Sequence, residues 1–203
     1  MRFQTVGSST AMVAVCVVVG LVSAADVAGA QQRRLPGPVI ESFGGRADVE
    51  AVGPLDFEAP TDREYKAVFE LSEASPSPDR ALPGLENIAR YVNLHAAAGV
   101  PRENIKVAVV IHGGAVAQTM THEAYRAAND GIDNPALERF QALADAGVQI
   151  YLCAQSAGFR GMTKSQMAAP LKLAYSAMTV TTLLQEEGYA AISHDWPRGG
   201  RGR

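Results

Sequence analysis

The sequence predicts an α/β protein: a three-layer α/β/α domain around a mostly parallel sheet of about five strands. Three observations carry this. Short β-branched runs alternate with helical patterns from Tyr65 onward. The run Ile105 to Ile111 (IKVAVVI) is apolar throughout, as a central parallel strand covered on both faces requires. The strand candidates lie roughly 10 to 20 residues of helical pattern apart, the spacing of right-handed crossovers.

The elements follow in order. Residues 1–30 look like a secretory signal peptide. Arg2 supplies the positive start, and Ala11 to Val22 is apolar but shorter than the ~20 residues of a membrane span. Ala28-Gly29-Ala30 has the small-x-small form of a cleavage site. Cleavage after Ala30 implies a secreted or periplasmic protein with no stable membrane insertion. Residues 31–63 are rich in Gly, Pro and acidic residues and show no period, so they read as an irregular extension. Its apolar Val39, Phe43, Val52, Leu55 and Phe57 are candidates to dock on the domain or on a neighbouring subunit. The α/β domain is expected over residues 64–194.

Within it, Lys66 to Leu71 is the first strand. Leu85 to Ala98 is a helix, with Leu85, Ile88, Ala89, Val92 and Ala96 on one face and Gly99 as its stop. Ile105 to Ile111 is the second strand. Ala115 to Ala128 reads as helical. Pro135 to Ala146 is a helix with Asn134 as N-cap, and Gly147 ends it. Val148 to Leu152 is the third strand and Leu171 to Tyr175 a short fourth. Thr179 to Glu187 is a helix closed by Gly188, and Tyr189 to Ser193 is the last strand. Residues 195–203 form a Gly/Arg-rich tail, read as a disordered, solvated end.

Composition narrows the function. Of 203 residues, 47% are apolar and 19% charged, a balance that excludes a disordered chain. The net charge of −3 offers no concentrated positive face, which argues against nucleic acid as a partner. No GxGxxG or GxxxxGK[ST] follows a strand, and no GxSxG, HExxH or CxxC occurs. His95, His112, His122 and His194 show no ligand spacing with a cysteine. The sequence therefore implies neither a metal site nor a cofactor. A flavodoxin-like cofactor site is disfavoured because the loop SEASPSP after the first strand lacks a glycine-rich phosphate cradle.

The chemistry concentrates at one edge. In open parallel sheets, ligands bind beyond the carboxyl ends of the strands. His112-Gly113-Gly114 falls there after the second strand, and Cys153-Ala154-Gln155-Ser156 after the third. Once Cys16 is lost with the signal peptide, Cys153 is the mature chain's single cysteine, so no internal disulfide is available. Small residues after Cys153 let backbone amides turn toward the sulfur. A helix start near Gln155, with Arg160 and Lys164 beyond it, adds positive charge that favours the thiolate. Cys153 is the candidate sulfur acceptor and His112 a candidate assistant, on condition that the second and third strands are neighbours. Gly113, Gln155, Ser156 and Arg160 are the candidate substrate-binding residues. Two readings of the cysteine stay open: a used thiolate, or a small apolar side chain packed at a strand end. His112 likewise admits the plainer role of binding a loop carbonyl.

The segments YKAVFEL, VAVVIHGGAV, NPALERFQALADAGVQIYLCAQSA and SAMTVTTLLQEEGYAAI, spread from Tyr65 to Ile192, resemble the DsrE/DsrF-like family. That family includes sulfur-relay subunits. The resemblance implies a three-layer α/β/α domain assembled as a homo-oligomer, a trimer or a hexamer. It also implies that Cys153 matches the cysteine that accepts a persulfide and passes it to a thiol or persulfide partner protein. The expectation is thus an exported sulfane-sulfur carrier or transferase. The alternative is a non-catalytic small-molecule-binding or assembly protein with a buried structural cysteine.

Overall fold

The computed structural model describes residues 38–192. The signal peptide with Cys16, the residues up to 37, His194 and the tail lie outside them. The described elements are strands β1 (Tyr65–Leu71), β2 (Ile105–Ile111), β3 (Gln149–Cys153), β4 (Lys172–Ala174) and β5 (Ala190–Ile192), with helices α1 (Gly84–Ala97), α2 (His122–Ala128), α3 (Leu137–Asp145), α4 (Ala154–Phe159) and α5 (Ala177–Glu186).

The strands form one sheet in the order β4-β3-β2-β1-β5, and every pairing is parallel. The central strand β2 is buried along almost its whole length, which accounts for its unbroken apolar sequence. It pairs with β1 from Tyr65↔Ile105 to Leu71↔Ile111, and with β3 from Ala108↔Gln149 to Ile111↔Leu152.

Strand alternation divides the core in two. Phe69, Val107, Val109, Ile111, Ile150 and Leu152 meet Leu85, Ile88 and Val92 of α1 and Phe140 and Leu143 of α3. On the opposite face, Val68, Ala108, Val110 and Cys153 meet Ala177 and Leu184 of α5. The layers are therefore unequal: α1 and α3 cover one face of the sheet, and α5 covers the other.

The expected helix from Ala115 to Ala128 is two elements. A 3-10 helix runs over Gly113–Thr119, Met120 is extended, and α2 restarts with the Thr121 side chain accepting from Ala124 N–H at 3.3 Å. The break has a cause. Met120 forms an antiparallel bridge with Met167, and Thr121 N–H donates to Gln166 O at 2.8 Å, so the chain is drawn straight at this point. The helix expected from Pro135 begins at Leu137. Asn134 still closes the turn before it, its side-chain oxygen accepting from Ala136 N–H at 3.0 Å. The last helix starts two residues before the expected Thr179, because Ser176 caps it by accepting from Thr179 N–H at 3.0 Å.

The part of the extension that is described holds to the domain through residues absent from the sequence-based docking set. Ile40 is buried, and Asn93 of α1 grips it at both ends: its Oδ1 accepts from Ile40 N–H and its Nδ2 donates to Ile40 O, each at 2.9 Å. Gly44 N–H donates to Glu86 and Arg90 donates to Gly45 O. Phe43 does pack, under the guanidinium of Arg139 at 5.1 Å. Val39, Val52, Leu55 and Phe57 are exposed.

Candidate functional site

Cys153 ends β3 and is also the N-cap residue of α4, with extended dihedrals (φ −69°, ψ 115°). In a helix start, the N-cap side chain faces the amides of the second and third helical residues. Here those are Gln155 and Ser156. Across the sheet Cys153 is in register with Ala174 of β4, and the chain then turns through Tyr175 and Ser176 into α5. Two helix starts therefore converge on one sulfur.

Its electrostatics follow from this. Burial raises the Cys153 pKa and is the largest single influence. Donors outweigh it together: the Ser156 hydroxyl, then the N–H groups of Ser156, Ala177 and Gln155. The net result is a pKa below the ordinary thiol value. The side chain makes no capping hydrogen bond of its own. A neutral thiol is a weak acceptor, whereas these donors act on the charge that a thiolate carries. Apolar surroundings alone would raise the pKa of a buried cysteine; here the donors reverse that direction. Cys153 is nonetheless only 4% exposed.

The second and third strands are neighbours, which is the condition the sequence set for His112. His112 lies one residue past the Ile111↔Leu152 pair and is extended (φ −148°), so it falls on the face of Val110 and Cys153. Its backbone N–H donates to Leu71 O at 2.9 Å. His112 is not among the groups acting on the sulfur. Neither are Arg160 and Lys164, contrary to the sequence-based expectation; both are exposed and lie beyond the turn of α4. The charge-stabilising work falls to dipoles at helix starts and a hydroxyl.

Gly113 has a part that its sequence context did not reveal. It is left-handed (φ +56°), and a Cβ there would sit 2.8 Å from Ser72 O. This conformation aims its N–H at Ser156, whose Oγ accepts at 3.1 Å. Gly114 N–H ties back to Ser72 O at 2.6 Å, so the ends of β1, β2 and β3 are linked through one turn. Ala177 was also missed; its place beside the sulfur depends on β4 pairing with β3, which no local pattern encodes.

A cavity of 90 Å³ lies near α4, lined by Leu152, Ala157, Met162, Met167 and Leu173 among others, and Cys153 does not line it. Exposed apolar side chains do surround the cysteine in sequence and topology: Phe159 at the end of α4, Leu173 and Tyr175 at β4, Met178 at the start of α5. Among the described residues, no group of three or more His, Cys, Asp or Glu is placed to hold a metal ion. No described helix is long and apolar enough to cross a membrane.

The parallel α/β domain thus holds one cysteine at the end of β3, where the starts of α4 and α5 lie beside it. The family match is specific: the chain belongs to the DsrE/DsrF-like family, whose model matches residues 67–194. That family is generally related to sulfur relay. Among solved structures, one similar chain is a protein of unknown function from Methanobacterium thermoautotrophicum. It is 21% identical, with a TM-score of 0.49, and the match covers 64% of this chain and 99% of that one. No curated protein matches the chain.

Proposed function

We propose that the protein carries sulfane sulfur on Cys153. The observation that supports this most is the set of four donors that favour the thiolate despite burial. In the loading step, the Cys153 thiolate attacks the outer sulfur of a persulfide, R–S–SH. A new S–S bond forms at Sγ, the R–S bond to the transferred sulfur breaks, and R–S⁻ leaves with the electron pair. The product is Cys153–S–SH, and no outside oxidant is consumed. An acceptor thiol on a partner protein takes the outer sulfur by the same displacement. The apolar Phe159, Tyr175 and Met178 offer a surface for that partner, or for self-assembly into the trimer or hexamer that the family resemblance implies. The signal-like residues 1–30 support an exported, secreted or periplasmic setting.

One observation favours a second reading, a binding or assembly protein with a structural cysteine: the exposure of only 4%. Alkylation kinetics and polysulfide loading separate the two. For a carrier, the alkylation midpoint falls below the free-thiol value of about 8.5, and intact mass rises by one sulfur after polysulfide treatment. Cys153→Ser is expected to keep the fold, by circular dichroism, and to gain no sulfur. Slow alkylation at every pH with no mass gain in the wild type would establish the structural reading instead.

A further inference from the structure

We infer that Ser156 is the positioning residue of the thiol site, a hydroxyl held by Gly113 so that its proton is directed at Cys153 Sγ. This rests on the carrier reading and deepens it. Three observations carry it. Ser156 is the third residue of α4 and Cys153 is the N-cap, so the two lie within one turn of the same helix start. The Ser156 oxygen accepts from Gly113 N–H at 3.1 Å, across 43 residues of sequence. The Gly113 turn is itself fixed by its left-handed backbone and by the tie of its neighbour Gly114 to Ser72 O.

The logic is that of a hydroxyl's limited inventory. A serine has one O–H to give and lone pairs to receive. A donor already docked on the oxygen fixes the side-chain rotamer and leaves the proton to point elsewhere. The nearby protein group that gains from it is the sulfur, whose charge draws donors. The Ser156 hydroxyl is among the groups that favour the thiolate, alongside the amides. The amides are backbone and cannot be deleted by substitution. The hydroxyl is the adjustable part.

This assigns Ser156 a larger effect in unloading than in loading. When an acceptor attacks the outer sulfur of Cys153–S–SH, the S–S bond at Sγ breaks and the electron pair returns to Sγ. A donor waiting there makes Cys153 a better leaving group. In loading, the same donor raises the thiolate fraction but also lowers its nucleophilicity, so the two effects oppose each other.

The test uses cyanide as the acceptor: Cys153–S–SH and CN⁻ give the Cys153 thiolate, thiocyanate and a proton. Full-length protein is loaded with polysulfide, and thiocyanate release is timed against pH for wild type, Ser156→Thr and Ser156→Val. The last two are close in shape and differ in the hydroxyl. Alkylation midpoints are measured on the same unloaded proteins. The expected result is several-fold slower release and a higher alkylation midpoint in Ser156→Val, with both restored in Ser156→Thr. Equal behaviour of the Thr and Val variants, in release and in midpoint, overturns the role of Ser156 while a loading wild type keeps the carrier reading. A wild type that takes up no sulfur defeats the carrier reading; the alkylation midpoints then still decide whether Ser156 directs its proton at the sulfur.

Discussion

Burial acts on Cys153 and His95 with different outcomes. At Cys153 burial raises the pKa, and four donors reverse it. At His95 burial lowers the pKa, and the opposing bond from Nδ1–H to Tyr91 O, 2.8 Å long, does not restore it. The ring is also packed against Tyr91 and Tyr65. His95 thus resists protonation in the folded state. Below the unfolded value of about 6.5 the unfolded chain takes up this proton and the folded chain does not. Stability that is fully present above that pH is lost as pH falls toward the depressed folded value. Melting temperature against pH should show this slope in the wild type and a flatter one in His95→Gln. Gly113→Ala is expected to cost about 1–3 kcal/mol in a denaturant titration, since alanine at positive φ is strained and its Cβ would crowd Ser72 O. The place of Cys153 at the end of a strand was legible in the sequence. The identity of its donors was not: Ala177 comes beside the sulfur through the β3–β4 pairing, and Arg160, close in sequence, is not among the groups that lower its pKa.

At the scale of elements, periodicity recovered the strands and helices of the domain, because burying one face leaves a repeating trace in the sequence. It failed where a bond from a distant segment overrode the local pattern. Residues 115–128 read as one helix, and the Met120–Met167 bridge divides them. The strap at residues 38–46 has no period either. It is held by Asn93, a buried asparagine inside an otherwise apolar helix face, whose three hydrogen bonds go to Ile40 and Gly44. Gly44 is needed for that approach, as a side chain there would overlap Ala89. Asn93→Ala is expected to destabilise the protein by about 2 kcal/mol, from lost bonds to backbone groups that stay buried. Urea unfolding measures the loss, and limited proteolysis should place new cleavage within residues 38–46. Unchanged cleavage would mean that Phe43 and Arg139 hold the strap by themselves.

The sheet of the described domain has long strands at its centre and short ones at its edges. β1 and β2 have seven residues each and are paired along their length, whereas the outer strands β4 and β5 have three each. Amide hydrogen exchange is expected to be slowest in β2 and fastest, among the strands, in β4 and β5. A uniform pattern would contradict this grading. The fold class was legible because a parallel sheet needs buried β-branched strands and crossover helices, and both leave strong signals. The inequality of the two faces was not, since it depends on which side of the sheet each crossover takes.

The strap also gives the domain an orientation. Ile40 joins the domain on the α1 side of the sheet, and Cys153 belongs to the cluster on the α5 side. A label placed within residues 38–46 would therefore sit on the side of the sheet away from the sulfur. Such a label would report on the strap and leave the layer around Cys153 untouched.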